Sequence, residues 1–80
     1  MRYEKLDNLI VRACRSADFI RIQSVLNNTY FCDGFISVTE TENEKYICFK
    51  QVYDVKHSTL HKNKAFPVSL IDDIEFSFKS

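Results

Sequence analysis

The chain has 80 residues, 45% of them hydrophobic and 14% aromatic, with one Gly, one Pro and no Trp. That length fits one compact domain over residues 1–80 without a second core, and the scarcity of Gly and Pro excludes a disordered chain. Eleven basic residues against eleven acidic ones give zero net charge, which argues against a dedicated duplex-binding protein, because such proteins carry a basic excess that neutralises phosphates.

The opening run Met1-Arg2-Tyr3-Glu4-Lys5 lacks the apolar stretch of a signal peptide, and no segment has the length and apolarity of a membrane span. A cytoplasmic protein without a membrane partner is the expectation. Cys14, Cys32 and Cys48 are odd in number and widely spaced, which fits a reducing compartment where the thiol serves as a small hydrophobe.

Leu6, Leu9, Ile10, Ala13, Cys14 and Ala17 recur at three- and four-residue steps, predicting an amphipathic helix over residues 3–16. Glu4, Lys5, Asp7, Arg12 and Arg15 fall on its other side, acids early and bases late, as the helix dipole favours. After an exit turn at Ser16-Ala17-Asp18 the period changes to two. Phe19 to Leu26 reads as a strand with Ile20, Ile22 and Leu26 on one face. Asn27-Asn28 reads as a two-residue hairpin turn, because Asn tolerates positive φ.

The return strand, Thr29 to Thr39, sends Tyr30, Cys32, Ile36 and Val38 one way and Phe31, Asp33, Phe35 and Ser37 the other. Gly34 lies in its middle, the position of a bulge or a barrel corner. Residues 40–44 form an acidic hairpin loop, and Lys45 to Tyr53 a third strand. Asp54 to Lys64 is a polar stretch, read as a long loop. Ala65 to Leu70 resumes extension with Pro67 marking an edge or a strand start. Ile71-Asp72-Asp73 then reads as a tight turn before a final strand carrying Ile74, Phe76 and Phe78.

The predicted architecture is α+β and mainly β: an N-terminal helix, then a five-stranded antiparallel meander closing into a small Sm-like or SH3-like barrel. Phe19, Phe31, Phe35 and Tyr46 lie on the second face of their strands. Burial under the helix is expected for them, and any remainder would form an exposed patch of the kind that marks interfaces.

No catalytic constellation emerges. His57 and His61 have helical zinc-pair spacing but no third ligand nearby, and no two cysteines share C-x-x-C spacing. Asp72, Asp73 and Glu75 cluster carboxylates, but neighbouring strand residues point to opposite faces, which is poor geometry for a dyad. Gly-rich phosphate loops and nucleophile elbows are missing. The expectation is a non-enzymatic protein without metal or cofactor.

Several short strings resemble the Rof family, the Rho-binding antiterminators: Asp7-Asn8-Leu9 and Ala13-Cys14 on the helix, Glu44-Lys45-Tyr46-Ile47 on the third strand, and the closing Leu70-Ile71-Asp72-Asp73-Ile74. That resemblance implies an N-terminal helix with a small Sm-like barrel, and a function in binding the termination factor Rho to block its access to RNA. The strand pattern also resembles the WYL domain of bacterial regulators, without its signature triplet.

The first functional reading is a small regulatory protein, antiterminator or phage host-inhibitor in type, that binds a protein of the nucleic-acid machinery. Glu4, Asp7, Arg12 and Arg15 on the helix and Glu40, Glu42 and Glu44 in the acidic loop would make the contacts. A second reading is a module for RNA or single-stranded nucleic acid, with Lys50, Tyr53, Lys56, His57, His61, Lys62 and Lys64 supplying charge and stacking. A third is a structural homo-oligomer joined through edge strands such as Ala65–Leu70.

Overall fold

A computed structural model describes residues 8–79. Glu4, Asp7 and the first predicted helical turn lie outside those residues. The helix α1 covers Asn8–Ser16 and is followed by β1 (Phe19–Ser24), β2 (Thr29–Glu40), β3 (Lys45–Asp54), β4 (Thr59–Pro67), a 3-10 turn at Val68–Leu70, and β5 (Ile71–Ser77). Among the described residues no helix is long and apolar enough to cross a membrane.

All five strands join one antiparallel sheet in the order β4-β3-β2-β1-β5. The first four strands form a meander, but the fifth does not continue it. Pro67 ends β4 in extended conformation (φ −66°, ψ 128°), the 3-10 turn redirects the chain, and β5 pairs with β1 on the opposite side of the sheet. This corrects the five-strand meander and the extended reading of Val68–Leu70. Ile71-Asp72-Asp73 is likewise strand and not turn: Gln23 faces Asp73 and Ser24 faces Ile71, so Asp72 is an extra residue bulged out of β5.

The core lies on the sheet's inner face. It combines Ile20 and Ile22 of β1, Cys32 of β2, Ile47, Phe49 and Val52 of β3, Phe66 of β4, Val68, and Ile71. Cys14 brings the helix onto this cluster and is itself buried, with Ala17 packed alongside. Arg12 and Arg15 stay on the exposed side, as the periodicity predicts.

Strand β1 stops at Ser24, two residues earlier than its alternation implies, and the turn to β2 occupies residues 25–28. Ser24 Oγ accepts from the backbone N–H groups of Leu26 (3.1 Å) and Asn28 (3.3 Å), which closes the turn, and Asn27 takes the positive φ of 62°. Leu26 is therefore outside, 70% exposed, and the buried inward residue at that point is Ser24.

A crease crosses β2, β3 and β4 in one line. Gly34 (φ 69°) stands opposite Lys50, between the pairs Asp33–Gln51 and Phe35–Phe49, and Lys50 stands opposite Asn63 (φ 54°), between the pairs Gln51–Lys62 and Phe49–Lys64. On each strand two successive residues face outward there: Asp33-Gly34, Lys50-Gln51 and Lys62-Asn63. Inward facing then resumes with the opposite parity. Glycine is required on two counts. Its φ is left-handed, and a Cβ at Gly34 would stand 2.9 Å from the Cβ of Lys50.

The crease overturns the predicted facing of β2. Phe35 turns inward, packing against the core with its ring edge-on to Phe49 at 6.3 Å between centroids. Ile36, predicted inside, is the bulged residue between the paired Phe35 and Ser37 and is exposed.

Candidate functional site

The stretch predicted as a long loop, Asp54 to Lys64, is a tight turn followed by strand. Asp54 is the reason. Its Oδ1 accepts from the backbone N–H of His57 (3.1 Å) and its Oδ2 lies 2.8 Å from His57 Nδ1, so residues 54–57 close on one carboxylate, and Ser58 completes the reversal with φ 49°. The same Oδ1 accepts from Asn28 Nδ2 at 2.9 Å, while Asn28 Oδ1 accepts from the Lys56 N–H at 3.3 Å. Ser24, Asn28 and Asp54 are the buried polar residues among those described, and together they lock the β1–β2 turn to the β3–β4 turn. The hydrogen bond from Asn28, helped by those from His57, holds the Asp54 carboxyl at about 2.

This cluster is structural in its geometry. His57 is exposed, and the neighbouring Thr59 hydroxyl donates to the His57 carbonyl. Among the described residues no three His, Cys, Asp or Glu side chains come together as a metal site. Burial pushes the Cys14 thiol up to about 11, and burial with the neighbouring Cys14 pushes Cys32 up to about 12, which keeps both protonated and unreactive at neutral pH.

Two surfaces remain, at opposite ends of the β2–β3 ladder. The first is the acidic hairpin. Thr41 N–H donates to the Glu44 carbonyl (2.8 Å), Thr41 Oγ1 bonds the same residue's backbone, and Glu44 reaches across to Ser69, accepting from its hydroxyl (2.5 Å) and its N–H (3.2 Å). The Ser69 hydroxyl bond lowers the Glu44 pKa below the ordinary carboxylate value. Residues 40–45 and Ser69 thus enclose a shallow cavity of about 320 Å³. Glu40 and Glu42 project from this fixed frame. Lys45, opposite Glu40 in the ladder, is the nearest cation in sequence, and none of the three glutamates has an ion pair within 4.0 Å among the described residues.

The second surface is the outer face of the sheet. Leu60, Tyr53, Phe31, Arg21 and Glu75 form one row across all five strands, each paired with the next. Leu60, Tyr53 and Phe31 are 51%, 38% and 49% exposed, and Phe19 lies diagonally beside them, also exposed. The predicted burial of Phe19 and Phe31 under the helix is therefore corrected: α1 covers the inner face, and strand alternation sends these rings to the other side. At the far end of the row Arg21 is engaged by Glu75 (3.4 Å) and Asp73 (3.9 Å).

The cationic residues singled out from sequence divide accordingly. Lys50, Lys56 and Lys62 are exposed on the β3–β4 side of this row, and none has an ion pair within 4.0 Å among the described residues. His61, paired with the buried Val52, and Lys64, paired with the buried Phe49, sit half-buried on the inward side of β4. His57 is held at the turn by Asp54. Sequence reasoning found Tyr53 but missed Phe31 and Leu60 as its neighbours, because the bulge at Ile36 shifts the β2–β3 register that brings Phe31 beside Tyr53, and the turn that Asp54 closes sets Leu60. No family model matches the chain, nor does any curated protein or solved structure.

Proposed function

We propose that this chain is a non-enzymatic regulator that binds a protein of the nucleic-acid machinery and occupies its nucleic-acid-binding surface. The acidic hairpin carries the reading. Glu40, Glu42 and Glu44 are held on a frame fixed by Thr41 and Ser69, with one lysine against three carboxylates. A protein surface that binds RNA must be basic, and carboxylates carried on a backbone hairpin that is already ordered complement it at a reduced ordering cost. Arg12 and Arg15, exposed on α1, would add contacts to the same partner.

The Rof resemblance narrows the partner to a Rho-type termination factor. The same resemblance, the crease at Gly34 and the 3-10 turn between β4 and β5 support a sheet that curls in the manner of a small Sm-like or SH3-like barrel. The sheet edges speak against copies pairing with one another: Lys62, Asn63, Lys64 and Pro67 on β4 and the bulged Asp72 on β5 are the devices that guard an edge.

The test is titration of the intact chain against purified Rho hexamer with a labelled RNA displaced as readout. Displacement is expected, weakening at least tenfold when Glu40, Glu42 and Glu44 are all changed to Gln. Unchanged displacement by the triple variant, or none by the native chain, would overturn the reading.

A further inference from the structure

We infer that the outer face of the sheet is a second, independent site, and that its ligand is a single-stranded nucleic acid. The occupant follows from what stands on the face and in what order. Phe31 and Tyr53 are directly paired across β2 and β3, so their side chains rise side by side from the sheet. Both are exposed, and Leu60 extends the apolar row onto β4. Two neighbouring rings in water at the centre of a sheet cost hydration with no return from the fold, because the core is complete on the other face. Rings placed this way stack unpaired bases, which duplex nucleic acid does not offer.

The charges select the same ligand. On the β3–β4 side Lys50, Lys56 and Lys62 border the row with no ion pair among the described residues, whereas on the β5 side Asp73 and Glu75 face Arg21 and are held by it. The carboxylate of Asp33, next to Gln51 and exposed, is the one other acid in the adjacent row of the face. A strand with its bases on Tyr53 and Phe31 and its phosphates along the lysine side meets complementary charge. The reverse orientation would set phosphates against Asp73 and Glu75. Three lysines and two rings suit a short segment, and zero net charge over the chain is compatible with so few phosphate contacts. Lys62 also guards the β4 edge, but edge protection gives no reason for exposed rings on β2 and β3.

The experiment uses the full chain and a fluorescein-labelled single-stranded 12-mer of uridylate, with a 12-base-pair duplex as comparison, read by anisotropy from 50 to 200 mM salt. The single strand is expected to bind and the duplex not. The slope of log K against log salt should be about −2, from roughly −0.7 for each of three phosphates. Phe31→Ala and Tyr53→Ala should each weaken binding by about tenfold to a hundredfold. Tyr53→Leu, which keeps the apolar bulk and the exposed position, should lose nearly as much. Lys62→Gln should bring the slope closer to zero by about 0.7, while Lys45→Gln at the far end of β3 should leave it unchanged.

Absence of binding at 50 mM salt, equal binding of duplex, or affinity indifferent to both ring substitutions would overturn the proposal. Loss of Rho displacement on Tyr53→Leu without any uridylate binding would also overturn it, by making the face a protein contact. The two sites are separable: the triple Gln change in the acidic hairpin tests the protein site without touching the outer face.

Discussion

Asn28 and Asp54 join two turns that are 26 residues apart in sequence, through a buried hydrogen bond of 2.9 Å from the Asn28 amide to the Asp54 carboxylate. Asn28 also engages through its side-chain oxygen, which takes the Lys56 N–H, and through its own N–H, which goes to Ser24 Oγ. Replacing Asn28 by Ala leaves a buried carboxylate oxygen and a backbone donor short of partners. A loss of about 1–3 kcal/mol is expected, read by urea unfolding at pH 7. Asn28→Asp, which sets a second carboxylate against Asp54, should cost more than Asn28→Ala.

The same carboxylate makes stability depend on acid. The fold holds Asp54 at about 2, below the usual 3.8, first through Asn28. A depressed acid favours the fold only while ionised, so its contribution is complete above about pH 4 and is lost as the pH falls toward 2. Glu44, lowered by the Ser69 hydroxyl bond, acts with the same sign at the edge of the acidic hairpin. Acid unfolding followed by circular dichroism should show stability falling across pH 4 to 2, and Asp54→Asn should flatten that fall while lowering the plateau at pH 7. Equal slopes for the two proteins would contradict this account.

Gly34 and Asn63 have left-handed φ on either side of Lys50, and substitutions should separate them. Gly34→Ala combines an unfavourable φ with a Cβ 2.9 Å from Lys50 Cβ, and about 1–3 kcal/mol of stability should be lost. Asn63→Gly should be close to neutral, since glycine adopts φ 54° freely, whereas Asn63→Val should destabilise. Thermal melts of the three variants rank them.

Among the described residues Phe49 is the largest fully buried side chain, and it supports Phe35 from the next strand. Phe49→Ala should cost about 3–5 kcal/mol through lost transfer energy and the cavity left behind. A chain of this size has only about 4–12 kcal/mol in total. Substantial unfolding at 37 °C is the expected outcome, visible as collapse of amide dispersion in the NMR spectrum.

Thiol chemistry should distinguish the cysteines. Cys14 and Cys32 are buried with raised pKa values, and Cys48 is half-buried with its sulfur 3.7 Å from the Thr39 hydroxyl. A chromogenic disulfide reagent should titrate one thiol in the native protein and three in denaturant. Rapid reaction of all three in the native state would refute the burial of the helix against β2.

Much of this fold was legible where periodicity is local. The helix face ending in Cys14 and Ala17, the inward Ile20 and Ile22, the facing of Ile47 and Phe49, and the acidic hairpin all follow from spacing alone. The misses share one cause. Leu26, Phe35 and Ile36 were placed by extending an alternation through Ser24 and Gly34, where hydrogen bonding and backbone conformation interrupt it. The β3–β4 turn looked like a long loop because its organiser, Asp54, is a polar residue whose partner is distant in sequence. The pairing of Phe31 with Tyr53 is hidden by the bulge at Ile36, which shifts the β2–β3 register by one residue.

The crease has a consequence for how the curvature could be lost. A flat strand could be restored in β2, β3 or β4 by deleting one of its two successive outward residues, Asp33 or Gly34, Lys50 or Gln51, Lys62 or Asn63. Deleting one alone would put that strand out of step with every strand it pairs with and turn half of its core residues to water. No single deletion flattens the sheet, so its shape is buffered against gradual change: intermediate sequences are the ones that do not fold.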